Sequence, residues 1–146
     1  MKYLCTFLTV MIIVSCNYKM TEEEKVKKAI TDLIGADNHA DINGVMNAYT
    51  DSISFHPDDK PFIKGKQNIK ISYEKLFAES RLSLSTQITS VYISNDSAFV
   101  RGINRGTITS IKTDSAKEVK DHYGAELRKN EKGEWKISIL AWGAEQ

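Results

Sequence analysis

The hydrophobic periodicity of this chain changes near Leu82, and that change limits its fold more than any other feature of the sequence. Ahead of it, apolar residues recur at the spacing of one helix face: Val26, Ile30, Leu33 and Ile34, then Ile42, Val45, Met46 and Tyr49, then Ile69, Tyr73, Leu76 and Phe77. Behind it, Ser, Thr, Ile, Val and aromatic residues dominate, with turn signals at Asn95-Asp96 and at Asn130-Glu131-Lys132-Gly133. The pattern predicts strands near 83–94, 97–110, 117–129 and 134–142, joined as antiparallel hairpins. Ile53 and Phe55 alternate as a short strand does, and His56-Pro57-Asp58-Asp59 reads as a turn. Thr21 with Glu24 forms a capping box, Gly35 and Asp37-Asn38-His39 interrupt or end the first helix, and Asp41 caps the second. Helix, helix, short strand, helix and four-stranded meander make an α+β domain with helices on one face of a bent sheet.

Met1 to Ser15 carries one charge, Lys2, ahead of an apolar run from Tyr3 to Val14. The run is too short to cross a bilayer, which takes about 20 apolar residues. A positive start, an apolar middle and a small residue at the end describe a secretory signal peptide over 1–15. Its end, Ile13-Val14-Ser15-Cys16, resembles the lipobox of bacterial lipoproteins, in which the cysteine is acylated and becomes the first mature residue. That resemblance implies a lipid-anchored protein of the bacterial cell envelope, on the outer membrane or periplasmic face. Cys16 would be the anchor, 16–20 a tether and 21–146 the folded domain. A plain signal peptide or an uncleaved anchor is the alternative.

Cleavage before Cys16 would remove Cys5, turn Cys16 into a thioether and leave no thiol for disulfide, nucleophilic or cysteine–metal chemistry. The formal charge of the whole chain is +1, from 20 basic and 19 acidic side chains. A nucleic-acid-binding surface needs a clustered basic excess, so no nucleic-acid partner is expected.

Several phrases together carry a further resemblance. Asn38-His39-Ala40-Asp41-Ile42 leads into a short helix ending at Tyr49, and Asp51-Ser52-Ile53-Ser54-Phe55-His56-Pro57 follows. Gly65 opens a helix, and Gly133-Glu134-Trp135-Lys136-Ile137 enters the last strand. In this order the segments resemble the nuclear transport factor 2-like superfamily, and within it the SnoaL-like and ketosteroid-isomerase-like small domains, over about 21–142. The resemblance implies a cone: a curved antiparallel sheet wrapped on three helices, with a pocket at the wide end and a convex face often used for dimerisation. A homodimer is therefore an expectation. The superfamily holds isomerases, dehydratases, epoxide hydrolases and cyclases beside domains that only bind or assemble.

Strand alternation sorts the candidate residues. Val119, Asp121, Tyr123, Ala125 and Leu127 share the apolar face, and Lys120, His122, Glu126 and Arg128 the other. Asp121 beside Tyr123 is a candidate base, tuned by desolvation, against the alternative of a solvated acid at a strand end. His56 is a candidate proton shuttle at the pocket rim, or a surface-loop histidine. Tyr49, Phe55, Tyr73, Phe77 and Tyr123 are candidate pocket walls for a small organic ligand, with plain core packing as the alternative. Trp135 and Trp142 fall on opposite faces unless a bulge intervenes, and Arg101 and Arg105 share a face with Phe99 and Ile103. The three histidines lie on separate elements without metal-ligand spacing, so no metal is predicted, and no cofactor.

The catalytic sets of the isomerase and of the epoxide hydrolase do not map here; Arg101 is followed by Gly102 and Ile103, not by an Arg-x-Asp element. Two functions stay open: binding of a small apolar or amphipathic ligand or a protein partner, and acid–base catalysis on a small organic substrate with Asp121 and His56.

Overall fold

Thr21 caps the first helix: its hydroxyl accepts from the Glu24 N–H at 3.2 Å, and the Glu24 carboxylate accepts from the Thr21 N–H at 2.7 Å. The computed structural model describes residues 19–144. The signal peptide over 1–15, the Cys16 anchor and most of the tether over 16–20 lie outside the described residues.

Helix α1 (Glu22–Asn38) passes through Gly35 without interruption and ends within the stretch Asp37-Asn38-His39. There the His39 N–H closes it on the carbonyls of Asp37 and Gly35. Val26, Ile30, Leu33 and Asp37 therefore lie on one buried face. Helix α2 (Ile42–Ala48) starts where the Asp41 carboxylate accepts from the N–H groups of Asn43 and Gly44. Tyr49 ends that helix and begins β1 (Tyr49–Pro57), which passes through Asp51 and Ser52. The two-residue β2 (Ile63–Lys64), unforeseen in the sequence, folds back on it. Helix α3 (Lys66–Glu79) follows and buries Ile69 and Tyr73. The meander is β3 (Ser80–Ser94), β4 (Ser97–Ser110), β5 (Ala116–Lys129) and β6 (Trp135–Ala144).

The six strands form one curled sheet in the order β2-β1-β6-β5-β4-β3. It is not wholly antiparallel, because β1 runs parallel to β6. The meander returns its last strand beside the first, a non-local pairing that local periodicity does not encode.

Two bulges help curl the sheet. In β3, Thr89 is the extra residue between the pairs Ile88–Gly102 and Ser90–Arg101. In β6, Ser138 is extra between Ile137–Leu127 and Ile139–Glu126, and its hydroxyl donates to the Glu126 carbonyl at 3.2 Å. An inserted residue bends the strand and resets its alternation. Trp135 and Trp142, seven positions apart, thus pack against the same core cluster. That core joins Val26 and Ile30 of α1, Val45 of α2, Ile53 of β1 and Ile69 of α3 to Val100, Leu127 and Ile137 of the sheet. At the N-terminal end of α1, Glu22 accepts from Trp135 Nε1 at 3.1 Å and pairs with Lys129 at 2.7 Å. Lys129 and Lys25 hold its carboxyl down to about 2.

Candidate functional site

Asp37 lies fifteen residues along α1 from Glu22, roughly 22 Å away at 1.5 Å per residue. There the sheet and helices leave an open cavity of about 340 Å³. Tyr73 and Leu76 of α3, Phe55 of β1, Leu84 of β3 and Trp142 of β6 supply its apolar wall. Phe55 meets the edge of Trp142 at 5.2 Å and of Tyr73 at 6.1 Å between ring centres. Asp37, Asn104 and Asp121 add polar groups to the same wall.

Asp37 is 7% exposed and its Oδ1 has no hydrogen-bond partner. Burial pushes its carboxyl up to about 7, against a smaller opposing pull from the Tyr73 hydroxyl. That hydroxyl lies 2.9 Å from the Tyr49 hydroxyl, and burial raises both phenols well above their ordinary value. On the sheet, Thr86, Asn104 and Asp121 stand opposite one another across β3, β4 and β5. The Tyr123 hydroxyl bonds Thr86 Oγ1 at 3.0 Å, and burial raises it too. Gly102 makes that reach possible: it faces Tyr123 across the ladder, and a Cβ there would overlap the tyrosine ring.

A second hollow, of about 410 Å³, opens at the other end of α1, between α1, α2 and β6. Its charged lining is paired, Lys28 with Asp32 and Lys136 with Glu134. Among the described residues, the buried unpaired side-chain atoms are Asp37 Oδ1, Asn104 Oδ1 and Thr50 Oγ1, and Asp37 and Asn104 are lining residues of the 340 Å³ cavity.

Asp121, Phe55, Tyr73 and Tyr123 all line this cavity, with Asp121 half-buried. His56 does not. It sits between Phe55 and Pro57, which point inward, so alternation along β1 turns it outward. Exposed there, it stacks on Phe62 at 5.6 Å and bonds Ser54 Oγ at 2.9 Å. The fold therefore does not bring His56 and Asp121 into one cavity. Tyr49 also leaves the expected wall: it is buried behind Tyr73, its hydroxyl engaged. Phe77, one helical turn beyond Tyr73, packs on that ring at 5.4 Å without joining the lining. His39 bonds the Gly35 carbonyl at 2.7 Å, the role of a helix-end histidine, while Arg101 and Arg105 are exposed on the outer sheet face.

Asp37 and Asn104 escaped the sequence reading. For Asp37 the signal was present: it continues the spacing of Val26, Ile30 and Leu33, but reading it as part of the polar helix end left it off the buried face. Asn104 shares its strand face with the buried Ala98, Val100 and Gly102.

A family model described as SnoaL-like domain matches residues 26–139. A comparison with curated proteins finds no match. Among solved structures, a ketosteroid isomerase-like protein from Erwinia carotovora atroseptica is 26% identical with a TM-score of 0.77, covering 86% of this chain and 99% of its own. A conserved protein from Planctomyces limnophilus is 17% identical, with a TM-score of 0.79 and coverage of 84% and 95%. A nuclear transport factor 2-like superfamily protein from Salmonella enterica is 11% identical, with a TM-score of 0.75 and coverage of 85% and 91%. The sequence match over most of the chain and the cone of six strands on three helices agree: this chain belongs to the SnoaL-like domain family.

Proposed function

We propose that the domain binds a small amphipathic organic molecule in the 340 Å³ cavity, and that a lipid on Cys16 holds the protein at the bacterial envelope. The observation that carries the binding reading is Asp37. A buried polar group is ordinarily hydrogen-bonded, and leaving one oxygen open in an apolar wall costs stability. A ligand that reaches Oδ1 offsets that cost, while its apolar body covers Phe55, Leu76, Leu84 and Trp142. The cavity size fits one small molecule, and the family's ketosteroid isomerase-like relative is consistent with an organic ligand. The test is titration with 2-phenylethanol followed by NMR. Saturable shifts at Trp142 and Leu76, lost in Ile108→Trp, which fills the cavity, support the reading. Shifts that never saturate, or that survive the filled cavity, overturn it.

A second reading, acid–base catalysis, is favoured by one feature: a carboxyl titrating near neutral pH suits proton transfer at working pH. Asp37 replaces the Asp121–His56 pair in this version, with Tyr73 and Tyr49 behind it. Asp37→Asn would then abolish turnover while ligand binding persists. A homodimer through the outer sheet face, where Tyr92 is exposed, is the matching proposal for assembly, and sedimentation of the purified protein tests it.

A further inference from the structure

The cavity's capacity for hydrogen bonds leans toward acceptors. Asp37 Oδ1 and Asn104 Oδ1 are buried acceptors without partners, and Asp121, opposite Asn104 across the β4–β5 ladder, adds a second carboxyl to the wall. The hydroxyls beside them are already engaged: Tyr73 with Tyr49, Tyr123 with Thr86, and Ser72 donating to the Asn68 carbonyl. Lys60, exposed at the rim, is the one cationic side chain among the described residues lining the cavity. Acceptors outnumber donors in this wall: the donors left are the Asn104 side-chain amide and Lys60 at the rim.

We propose that the cavity is selective for a small apolar amine, whose ammonium group satisfies Asp37 and Asn104 while its apolar body lies against Phe55, Leu76 and Trp142. The inference rests on the binding reading above and names its ligand class. An ammonium carries three donors and no acceptor, the complement of this wall, and its bond to a carboxylate is charge-assisted. The rings of Phe55, Tyr73 and Trp142 can also face a cation favourably. A carboxylate or phosphate ligand would meet two acids. At about 30 Å³ per atom, the cavity holds roughly a dozen non-hydrogen atoms.

The groups around Asp37 are Tyr73 of α3, Tyr49 of β1, Asn104 of β4 and Asp121 of β5, with Lys60 in the loop after β1. An amine needs Asp37 ionised, so its affinity rises with pH through about 7.

The test is calorimetric titration of the full chain with phenethylamine, 2-phenylethanol and 3-phenylpropionate. At pH 8 the amine binds at least about tenfold tighter than the alcohol, and the carboxylate does not bind. Asp37→Asn brings amine and alcohol within about threefold of each other, chiefly by weakening the amine. Equal binding of amine and alcohol, or preference for the carboxylate, overturns the amine assignment and leaves the cavity a ligand site. Failure of all three to bind overturns both. Should Asp37→Asn not fold, the unaltered chain decides alone: amine affinity roughly tenfold weaker at pH 6 than at pH 8 supports the assignment, and a flat profile overturns it.

Discussion

The hydroxyls of Tyr49 and Tyr73 lie 2.9 Å apart inside the domain, joining the first residue of β1 to the middle of α3. Tyr73 in turn faces Asp37, so a file of three polar groups leads from the core to the cavity wall. Burial disfavours the charged form of each, and a proton is held on all three at mildly acid pH.

Asp37 makes stability fall as pH rises. Its carboxyl goes from 3.8 to about 7 on folding, so between those values the folded chain keeps a proton that the unfolded chain has released. The favourable contribution is complete below about 4 and is lost by the time pH passes about 7, on the order of 4 kcal/mol in all. Urea unfolding at pH 5 and pH 8 will show the chain less stable at pH 8, and Asp37→Asn will lack most of that difference.

Tyr73→Phe removes the partner of a fully buried Tyr49 hydroxyl. The expected cost is about 1–3 kcal/mol, the penalty of an orphaned buried donor. Because the Tyr73 hydroxyl lowers the Asp37 titration, losing it moves that titration further up. Unfolding and an NMR pH titration on one variant measure both effects.

Gly102→Ala places a methyl group against the Tyr123 ring and forces the ring to move. The Thr86–Tyr123 bond then breaks, and the expected destabilisation is about 1–3 kcal/mol. Gly124→Ala, where a Cβ would sit 3.5 Å from Phe99, is the control and changes stability little. Thermal unfolding of the two variants distinguishes them.

Cys16→Ser tests the anchor. The unaltered chain fractionates with membranes and the variant appears in the soluble fraction, because acyl chains rather than charge would hold it. Continued retention of the variant contradicts lipidation at Cys16.

Local pattern carried most of the architecture. The boundaries of β4 are those read from its residues, and the capping roles of Thr21 and Asp41 stand in the structure as their side-chain chemistry requires. Parity along β5 placed Asp121 and Tyr123 on the inward face. The parallel pairing of β1 with β6 was not legible, because it joins segments separated by a helix and four strands. The Ser138 bulge was equally hidden, and it alone changes which face Trp142 shares with Trp135. His56 misled because its distance from the rim was judged by position along the chain, whereas its side chain follows the alternation of β1. Asp37 was hidden because it belongs to the polar stretch that does end α1, while its place on the helix still continues the buried face of Val26, Ile30 and Leu33.

The most direct measurement is the titration of the Asp37 carboxyl by carbon-13 NMR, with and without saturating 2-phenylethanol. The account predicts a midpoint near 7 in the free protein that moves when the cavity is filled. A midpoint near the ordinary 3.8, unmoved by the alcohol, contradicts it.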